Sequence, residues 1–214
     1  MRHYIIYGFL LIACFYSTQA NSDSLNPNLL TDTPTPPGKV GEIVGEDANA
    51  VVTPLISHKS SSKGIPMVSI MNHSSGVITV WALAPNNWLW GYSPFDSKSF
   101  GQLRNWYVLK NANGSVSFRN VRTKTCMAAY KNGIIHSACN RNKLSQQFDL
   151  LSLTNGAVAL KNAGNQKCLR IPERRSTVYM PITFVKCPTG DQFTVDQQWF
   201  IAPPILDSYP IPNN

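Results

Sequence analysis

The segment NGSVSFRN at residues 113–120 recurs as NGAVALKN at residues 155–162, and this repetition decides the fold. The same offset of 42 residues (113 to 155) aligns Cys126 with Cys168 and Trp106 with Phe148 without a gap. An Asn-Gly pair followed by alternating apolar and polar residues is typical of a tight turn that leads into a short β-strand. The chain therefore contains a repeated β-unit.

A third copy of the unit begins at Ser75-Gly76, with Ile78 and Val80 at the apolar positions of its strand. Each copy of the unit ends with a large aromatic residue: Trp106, Phe148 and Trp199. Three units of about 40 to 50 residues, each with turn signals for roughly four short strands, favour a pseudo-threefold β-trefoil over a propeller, a sandwich or a solenoid. No amphipathic helix is evident after Met67, so the predicted class is all-β.

The N-terminal segment, residues 1–20, has a short apolar run after Arg2, which predicts a secretory signal peptide. Two cleavage sites compete. Leu11-Ile12-Ala13-Cys14 resembles a bacterial lipobox with Cys14 as the lipidated residue, and Thr18-Gln19-Ala20 resembles an ordinary signal-peptidase site. We favour the lipobox, so that the expected location is the outer membrane, as a lipoprotein, or the secreted fraction.

Three further segments follow the signal. Residues 21–65 are rich in Ser, Asn, Pro and Thr and lack aromatic residues, which predicts an arm that is disordered or ordered only by a partner. The trefoil domain is placed at residues 66–202. Residues 203–214 are Pro-rich and are predicted to form an extended tail.

Composition describes a basic protein with a modestly charged surface. The 214 residues are 43% hydrophobic and only 14% charged, and the formal net charge is +8. Such a charge suits acidic partners, among them sialylated glycans, anionic lipid and nucleic acid, without choosing one. No nucleic-acid motif and no Gly-rich phosphate loop is present, so nucleic acid is not an expected partner.

Four cysteines remain after a signal is removed: Cys126, Cys139, Cys168 and Cys187. An even number in an exported chain predicts two disulfides, for which three pairings are possible. Zinc is the alternative ligand, but no Cys-x-x-Cys spacing supports it. We therefore expect disulfides and no metal.

The first repeat carries an unusual row of aromatic residues. The repeat alignment places Leu89 on the apolar positions of the other units, so that Leu89 is expected in the core. Because alternate strand residues face opposite sides, Trp88, Trp90 and Tyr92 are then predicted to face outward. Trp81, Phe95 and Phe100 are expected nearby. Such a patch would be a binding surface. The alternative is that these rings are simply the core of the first repeat.

Two resemblances support these patterns. A Gly-turn strand, two cysteines and a Gln-x-aromatic motif resemble the Gln-x-Trp repeats of ricin-B-type lectins, which implies disulfides within repeats, Cys126–Cys139 and Cys168–Cys187. The segments Thr79–Trp106 and Asp196–Leu206, which include Asn-Trp-Leu-Trp-Gly-Tyr and Asp-Gln-Gln-Trp-Phe, are similar to the A component of the bacterial cytolethal distending toxins.

The toxin resemblance implies a function without turnover. It implies a heterotrimer with a DNase-I-like nuclease, the B component, and a lectin-like C component. In such a heterotrimer the A and C components together bind a glycoconjugate or membrane component of the host cell. The resemblance also implies that Trp81, Trp88, Trp90 and Tyr92 form the host-contact patch. The host receptor itself is not implied.

The alternative function is a secreted carbohydrate-binding lectin module or a trefoil glycosidase; a trefoil protease inhibitor ranks last. Ricin-type sugar pockets use an Asp two residues after the first Cys of a repeat, where this chain has Ala128, Arg170 and, in the first unit, Trp90. The histidines left after signal removal, His58, His73 and His136, form no recognisable triad. We expect no catalytic site and no cofactor.

Overall fold

A computed structural model describes residues 64–172, 178–190 and 192–206. The predicted signal, Cys14 and residues 21–63 of the arm lie outside the described residues. Thirteen strands are present in the described part: β1 (Met67–Asn72), β2 (Val77–Val80), β3 (Leu89–Tyr92), β4 (Trp106–Lys110), β5 (Val116–Asn120), β6 (Cys126–Tyr130), β7 (Gly133–Ser137), β8 (Phe148–Ser152), β9 (Val158–Asn162), β10 (Lys167–Arg170), β11 (Tyr179–Pro181), β12 (Thr183–Lys186) and β13 (Trp199–Ala202).

Six of these strands close into an antiparallel barrel, in the order β1-β4-β5-β8-β9-β13 and back to β1. Six of the remaining seven strands form pairs against it, one pair in each repeat: β2–β3, β6–β7 and β10–β12. The seventh, β11, pairs with β3. This arrangement is the β-trefoil that the repeat predicts. Closure leaves the barrel strands without an unpaired edge.

The closing aromatic residues of the three repeats fill the barrel. Trp106, Phe148 and Trp199 are fully buried, and each begins a barrel strand directly after a short 3-10 helix: Lys98–Arg104, Leu144–Gln146 and Val195–Gln197. The Trp106 indole donates to the Ile78 carbonyl at 2.9 Å, and the Trp199 indole donates to the Leu169 carbonyl at 3.0 Å. Each indole therefore ties a barrel strand to a hairpin.

The repeated Asn-Gly turns have a local cause. Gly114 and Gly156 have φ of 86° and 82°, a left-handed conformation that favours glycine. The side-chain oxygen of the preceding Asn155 accepts from the amide of Ala157 at 3.1 Å, and Asn113 accepts likewise from Ser115 at 3.2 Å. These Asx turns set the register of the two barrel hairpins.

Both disulfides implied by the lectin resemblance are confirmed. Cys126 bonds to Cys139 and Cys168 to Cys187, with Cα–Cα separations of 4.9 and 5.0 Å. Loops of this length stabilise a fold by about 3 kcal/mol in the loop-entropy model. The first repeat has no such bond, because Trp88 stands at the aligned position and instead forms a bridge with Ile135 of β7.

The described part of the tail returns to the barrel. The Asn105 side chain both donates to the carbonyl of Ile205 and accepts from its amide, each at 3.0 Å, and the Ser69 hydroxyl donates to the Pro203 carbonyl. The start of the tail is thus held by the trefoil itself. In the part of the chain that the structure describes, no helix has the length and apolar character needed to cross a membrane.

Candidate binding site in the first repeat

The β2–β3 hairpin carries the aromatic residues singled out in the sequence. Leu89 lies opposite Val80, whereas Trp90 lies opposite Thr79 and Tyr92 opposite Val77. Leu89 is fully buried, as predicted. Successive side chains of a strand point to opposite faces, but all four residues of β3 are buried, so both faces of this strand are covered.

The predicted outward exposure of the aromatic row is wrong. Trp88, Trp90 and Tyr92 are only 5%, 2% and 0% exposed, and Trp81 is 7% exposed. Each ring of the row packs against another ring, with centroids 5.8 Å apart for Trp88 and Tyr130, 5.7 Å for Trp90 and Tyr179, and 4.9 Å for Tyr92 and Phe100. In the folded chain these residues are core.

Part of the cover, including the ring on Trp90, comes from the third repeat. Strand β11 pairs with β3, so that Tyr179 lies opposite Tyr92 and Pro181 opposite Trp90. This contact depends on Gly91: a Cβ there would lie 2.6 Å from Ile171 Cδ1 and 3.3 Å from Met180 Cβ. The small residue between two large rings therefore allows the third repeat to approach closely.

The loop between β2 and β3 carries Trp81 at its start and Trp88 at its end. Both indole N–H groups are buried and have no acceptor within the described residues, and the Tyr92 hydroxyl shares this condition. Unpaired buried donors destabilise a fold unless a partner supplies an acceptor. These three groups therefore lower the stability of the folded chain rather than offer accessible donors at its surface.

His136 of β7 holds the same loop. Its Nε2–H donates to the Ala82 carbonyl at 2.9 Å, so that Nδ1 accepts from the Thr125 hydroxyl at 2.9 Å. The backbone of His136 also pairs with the backbone of Asn86 and of Asn87. Burial lowers the pKa of His136 to about 4, although hydrogen bonds to the carbonyls of Ala82 and Ala84 act in the opposite direction.

Phe95, at the other end of β3, is the most exposed large apolar residue among those described, at 86%. The turn beneath it is tightly bonded. The Ser93 hydroxyl donates to Asp96 Oδ2 at 2.6 Å, the Ser97 hydroxyl donates to the Ser93 carbonyl at 2.8 Å, and Arg104 Nη1 donates to the Pro94 carbonyl at 2.9 Å. A rigid turn therefore presents this ring to solvent next to the buried cluster.

The positions that hold the sugar-binding Asp of ricin-type repeats are occupied differently here. Ala128 is buried, and Arg170 pairs with Asp196 at 3.5 Å. Gln146 bonds to the backbone of Asn140 and Ala138, as expected of a structural amide. Across the described ranges, no group of three or more His, Cys, Asp or Glu side chains is placed to hold a metal ion.

Comparison with known proteins identifies the relatives of this fold. The family model described as the cytolethal distending toxin A/C domain matches residues 67–210. The chain belongs to this toxin A/C family.

Curated members of the family align over most of the trefoil. The A component of the cytolethal distending toxin of Campylobacter jejuni subsp. jejuni serotype O:23/36 (strain 81-176) is 39% identical over 150 residues, which are 67% of this chain and 54% of that relative. The chain thus spans about half the length of that protein. The A component of the toxin from Aggregatibacter actinomycetemcomitans is 31% identical over 194 residues, 90% of this chain and 87% of the relative.

Solved structures agree with the family assignment. The crystal structure of the Haemophilus ducreyi cytolethal distending toxin superposes with a TM-score of 0.64 at 33% identity, over 73% of this chain and 94% of that one. The toxin from Actinobacillus actinomycetemcomitans gives 0.63 at 34% identity, over 71% and 100%. A designed threefold symmetric protein, ThreeFoil, gives 0.53 at 16% identity, over 64% of this chain and 97% of that one, and supports the trefoil fold alone.

In this toxin A/C family member, the sequence named Phe95 and Phe100 only as neighbours of the aromatic row; the structure exposes Phe95, at 86%, and buries Phe100. The structure brings Trp88, Trp90 and Tyr92 together as a covered cluster, and Phe95 is the ring that reaches solvent. The signal for Phe95 was the Ser-Pro-Phe-Asp-Ser turn, since Ser, Pro and Asp all favour tight turns that lie on the surface.

Proposed function

We propose that the chain is the non-catalytic cell-binding and delivery component of a tripartite bacterial genotoxin. In this proposal it assembles with a nuclease (the B component) and a lectin-like C component, and it attaches the nuclease to the host cell surface. Support comes from the family match, from relatives that are A components of such toxins, and from the similarity to crystal structures of cytolethal distending toxins.

The contact residue is proposed to be Phe95, which follows the first-repeat aromatic cluster in the chain; Trp81, Trp88, Trp90 and Tyr92 themselves are buried and do not reach a host surface in the folded chain. The observation that carries this assignment is the 86% exposure of Phe95 on a turn fixed by side-chain hydrogen bonds. A rigid, exposed ring buries much apolar area on contact and loses little conformational entropy.

The test compares two apolar surface residues in the assembled toxin. Phe95→Ser should weaken binding of the complex to cultured cells about tenfold, as loss of an anchor ring does. Leu144→Ser is the matched control, because Leu144 is also exposed, at 53%, but lies on the second repeat. Labelled complex is titrated onto cells, and assembly is checked by size-exclusion chromatography.

If Phe95→Ser and Leu144→Ser bound cells with equal affinity, the assignment of Phe95 as the contact residue would be wrong. If complex assembly fails for Phe95→Ser alone, then Phe95 contacts another toxin component and not the host. A chain that assembles with no nuclease-like partner would contradict the delivery function as a whole.

The proposed location is the bacterial outer membrane, as a lipoprotein, with release into the medium as the route to the host. This follows from the lipobox-like segment ending at Cys14. Intact-mass analysis of the mature protein should show a diacylglyceryl adduct on Cys14. A mature chain that begins at Asn21 would contradict lipidation.

A further inference from the structure

A small concave site lies on the second repeat, away from the aromatic cluster. Its floor is the outer face of β4, β5 and β6, where Leu109 and Arg119 lie beside Cys126, and its wall is the loop with Cys139 and Arg141. Its volume is about 190 Å³, below the roughly 300–1,000 Å³ typical of pockets for drug-sized ligands. It therefore has room for a single small ring and the group that the ring carries.

The charge of this site differs from that of its counterpart in the third repeat. There Lys161 of β9 lies directly opposite Asp149 of β8, so that the cation faces an acid. In the second repeat the aligned cation is Arg119, and the residue opposite it is Tyr107. The repeat has exchanged the compensating carboxylate for an aromatic ring, which leaves positive charge at the second site.

Two cations share the Tyr107 ring. The Arg119 guanidinium lies 5.5 Å and the Lys124 ammonium 5.6 Å from its centroid. Arg119 Nε is buried and has no hydrogen-bond acceptor within the described residues, and no Asp or Glu lines the site. Of these two cations only Arg119 lines the site, where Arg141 is the second cation, so an anion bound in the site would be stabilised.

The wall is held in place before any ligand arrives. Cys139 is bonded to Cys126, the amide of Asn140 donates to Gln146 Oε1 at 2.8 Å, and Gln147 Nε2 donates to the Arg141 carbonyl at 2.6 Å. Three separate bonds therefore fix the backbone that carries Asn140 and Arg141. Such preorganisation lowers the entropic cost of binding.

The geometry points to an oxyanion site in which Arg119 and Arg141 bind the carboxylate or sulfate group of an acidic saccharide. A guanidinium matches the planar spacing of carboxylate and sulfate oxygens better than an ammonium does. Leu109 and the disulfide supply an apolar floor for a sugar ring, and the side-chain amide of Asn140 is a donor for a hydroxyl. A concave site with a fixed wall suits a small ring, whereas a flat membrane would need cations on a protruding surface.

The choice of a host glycan as the source of this saccharide rests on the proposed function, but the binding itself is measured without cells. The mature full-length chain is titrated with 3′-sialyllactose, with a sulfated heparin disaccharide and with neutral lactose by isothermal calorimetry. We expect at least one of the two acidic saccharides to bind, and their relative affinities to show which oxyanion is preferred. Lactose should bind at least tenfold more weakly than the tighter of the two.

Variants distinguish binding at this site from non-specific attraction by the positive charge of the whole protein. Arg119→Gln and Tyr107→Asp, which copies the acid of the third repeat, should each reduce acidic saccharide binding at least tenfold. Lys161→Gln, the same charge loss in the third repeat, should change it less than twofold. Thermal unfolding of each variant establishes that the fold is kept; if Tyr107→Asp does not fold, Arg119→Gln decides.

The proposed oxyanion site would be wrong if Lys161→Gln weakened acidic saccharide binding as much as Arg119→Gln does. It would also be wrong if lactose bound as tightly as the acidic saccharides, or if no saccharide bound. Vesicles containing phosphatidylserine form the lipid arm, and Arg119-dependent binding to them without saccharide binding would also overturn it. Failure here is distinct from failure of the delivery function, which is seen as absence of cell binding by the assembled wild-type toxin.

Discussion

His136 is a buried histidine whose two ring nitrogens join different repeats, Nε2 to Ala82 of the first and Nδ1 to Thr125 of the second. It keeps the loop between Trp81 and Trp88 in place and is neutral at ordinary pH, because burial lowers its pKa to about 4. From the sequence, His136 was recognisable only as a single histidine with no predicted catalytic partners. Its structural role depends on a contact across 54 positions of the chain.

Stability should fall with acidification because of this residue. The unfolded chain takes up the proton near pH 6.5 and the folded chain only near pH 4, so the unfolded state binds more protons between these values. Stability is therefore lost as pH falls through this window, by about 3 kcal/mol at most. Chemical denaturation from pH 7 to pH 4 measures the free energy of unfolding.

The control for this prediction is the exposed His73. His136→Gln should flatten the dependence of stability on pH, whereas His73→Gln should leave it unchanged. If the stability of His136→Gln depended on pH as strongly as that of the wild type, other titratable groups would be responsible for the dependence.

At the scale of elements, the contact between β3 and β11 decides the character of the first repeat. Alternation within β3 correctly separates Leu89 from Trp90 and Tyr92. Whether the second face meets water depends on segments outside the hairpin: β11 of the third repeat places Tyr179 on Trp90, and β6 of the second repeat places Tyr130 on Trp88. Sequence alternation alone therefore could not distinguish an exposed patch from a second buried layer.

Gly91 is the test of that contact. Gly91→Ala should reduce the free energy of unfolding by about 1–3 kcal/mol, because the added Cβ meets Ile171 Cδ1 at 2.6 Å in a packed core. Adding Ile171→Val, which removes the atom that clashes, should restore much of the loss. Urea denaturation of the single and double variants measures both effects.

Gly190→Ala is the matched control, since a Cβ at Gly190 meets nothing within 4 Å. Its stability should stay within about 0.5 kcal/mol of the wild type. Wild-type stability in Gly91→Ala would mean that Ile171 and Met180 of the third repeat do not pack closely on Gly91.

At the scale of the whole molecule, three unequal copies of one unit share a closed barrel. The copies kept their barrel residues, so that Trp106, Phe148 and Trp199 are all fully buried, but diverged on the outside. The described residues hold three acids, Asp96, Asp149 and Asp196, against thirteen Lys and Arg residues. The excess of positive charge predicted from composition is therefore a property of the trefoil itself, and favours acidic partners.

The sequence by itself determined the all-β class, the threefold repeat, the burial of Leu89 and, through resemblance, both disulfide pairings. These features are local to one repeat or shared by aligned repeats, so spacing along the chain expresses them. Only the tertiary structure decided that the aromatic row is covered, that Phe95 is the exposed ring, and that Arg119 and Arg141 line one site. The physical reason is that each of these depends on which segments, distant along the chain, pack against one another when the barrel closes, and periodicity within a segment does not encode its neighbours.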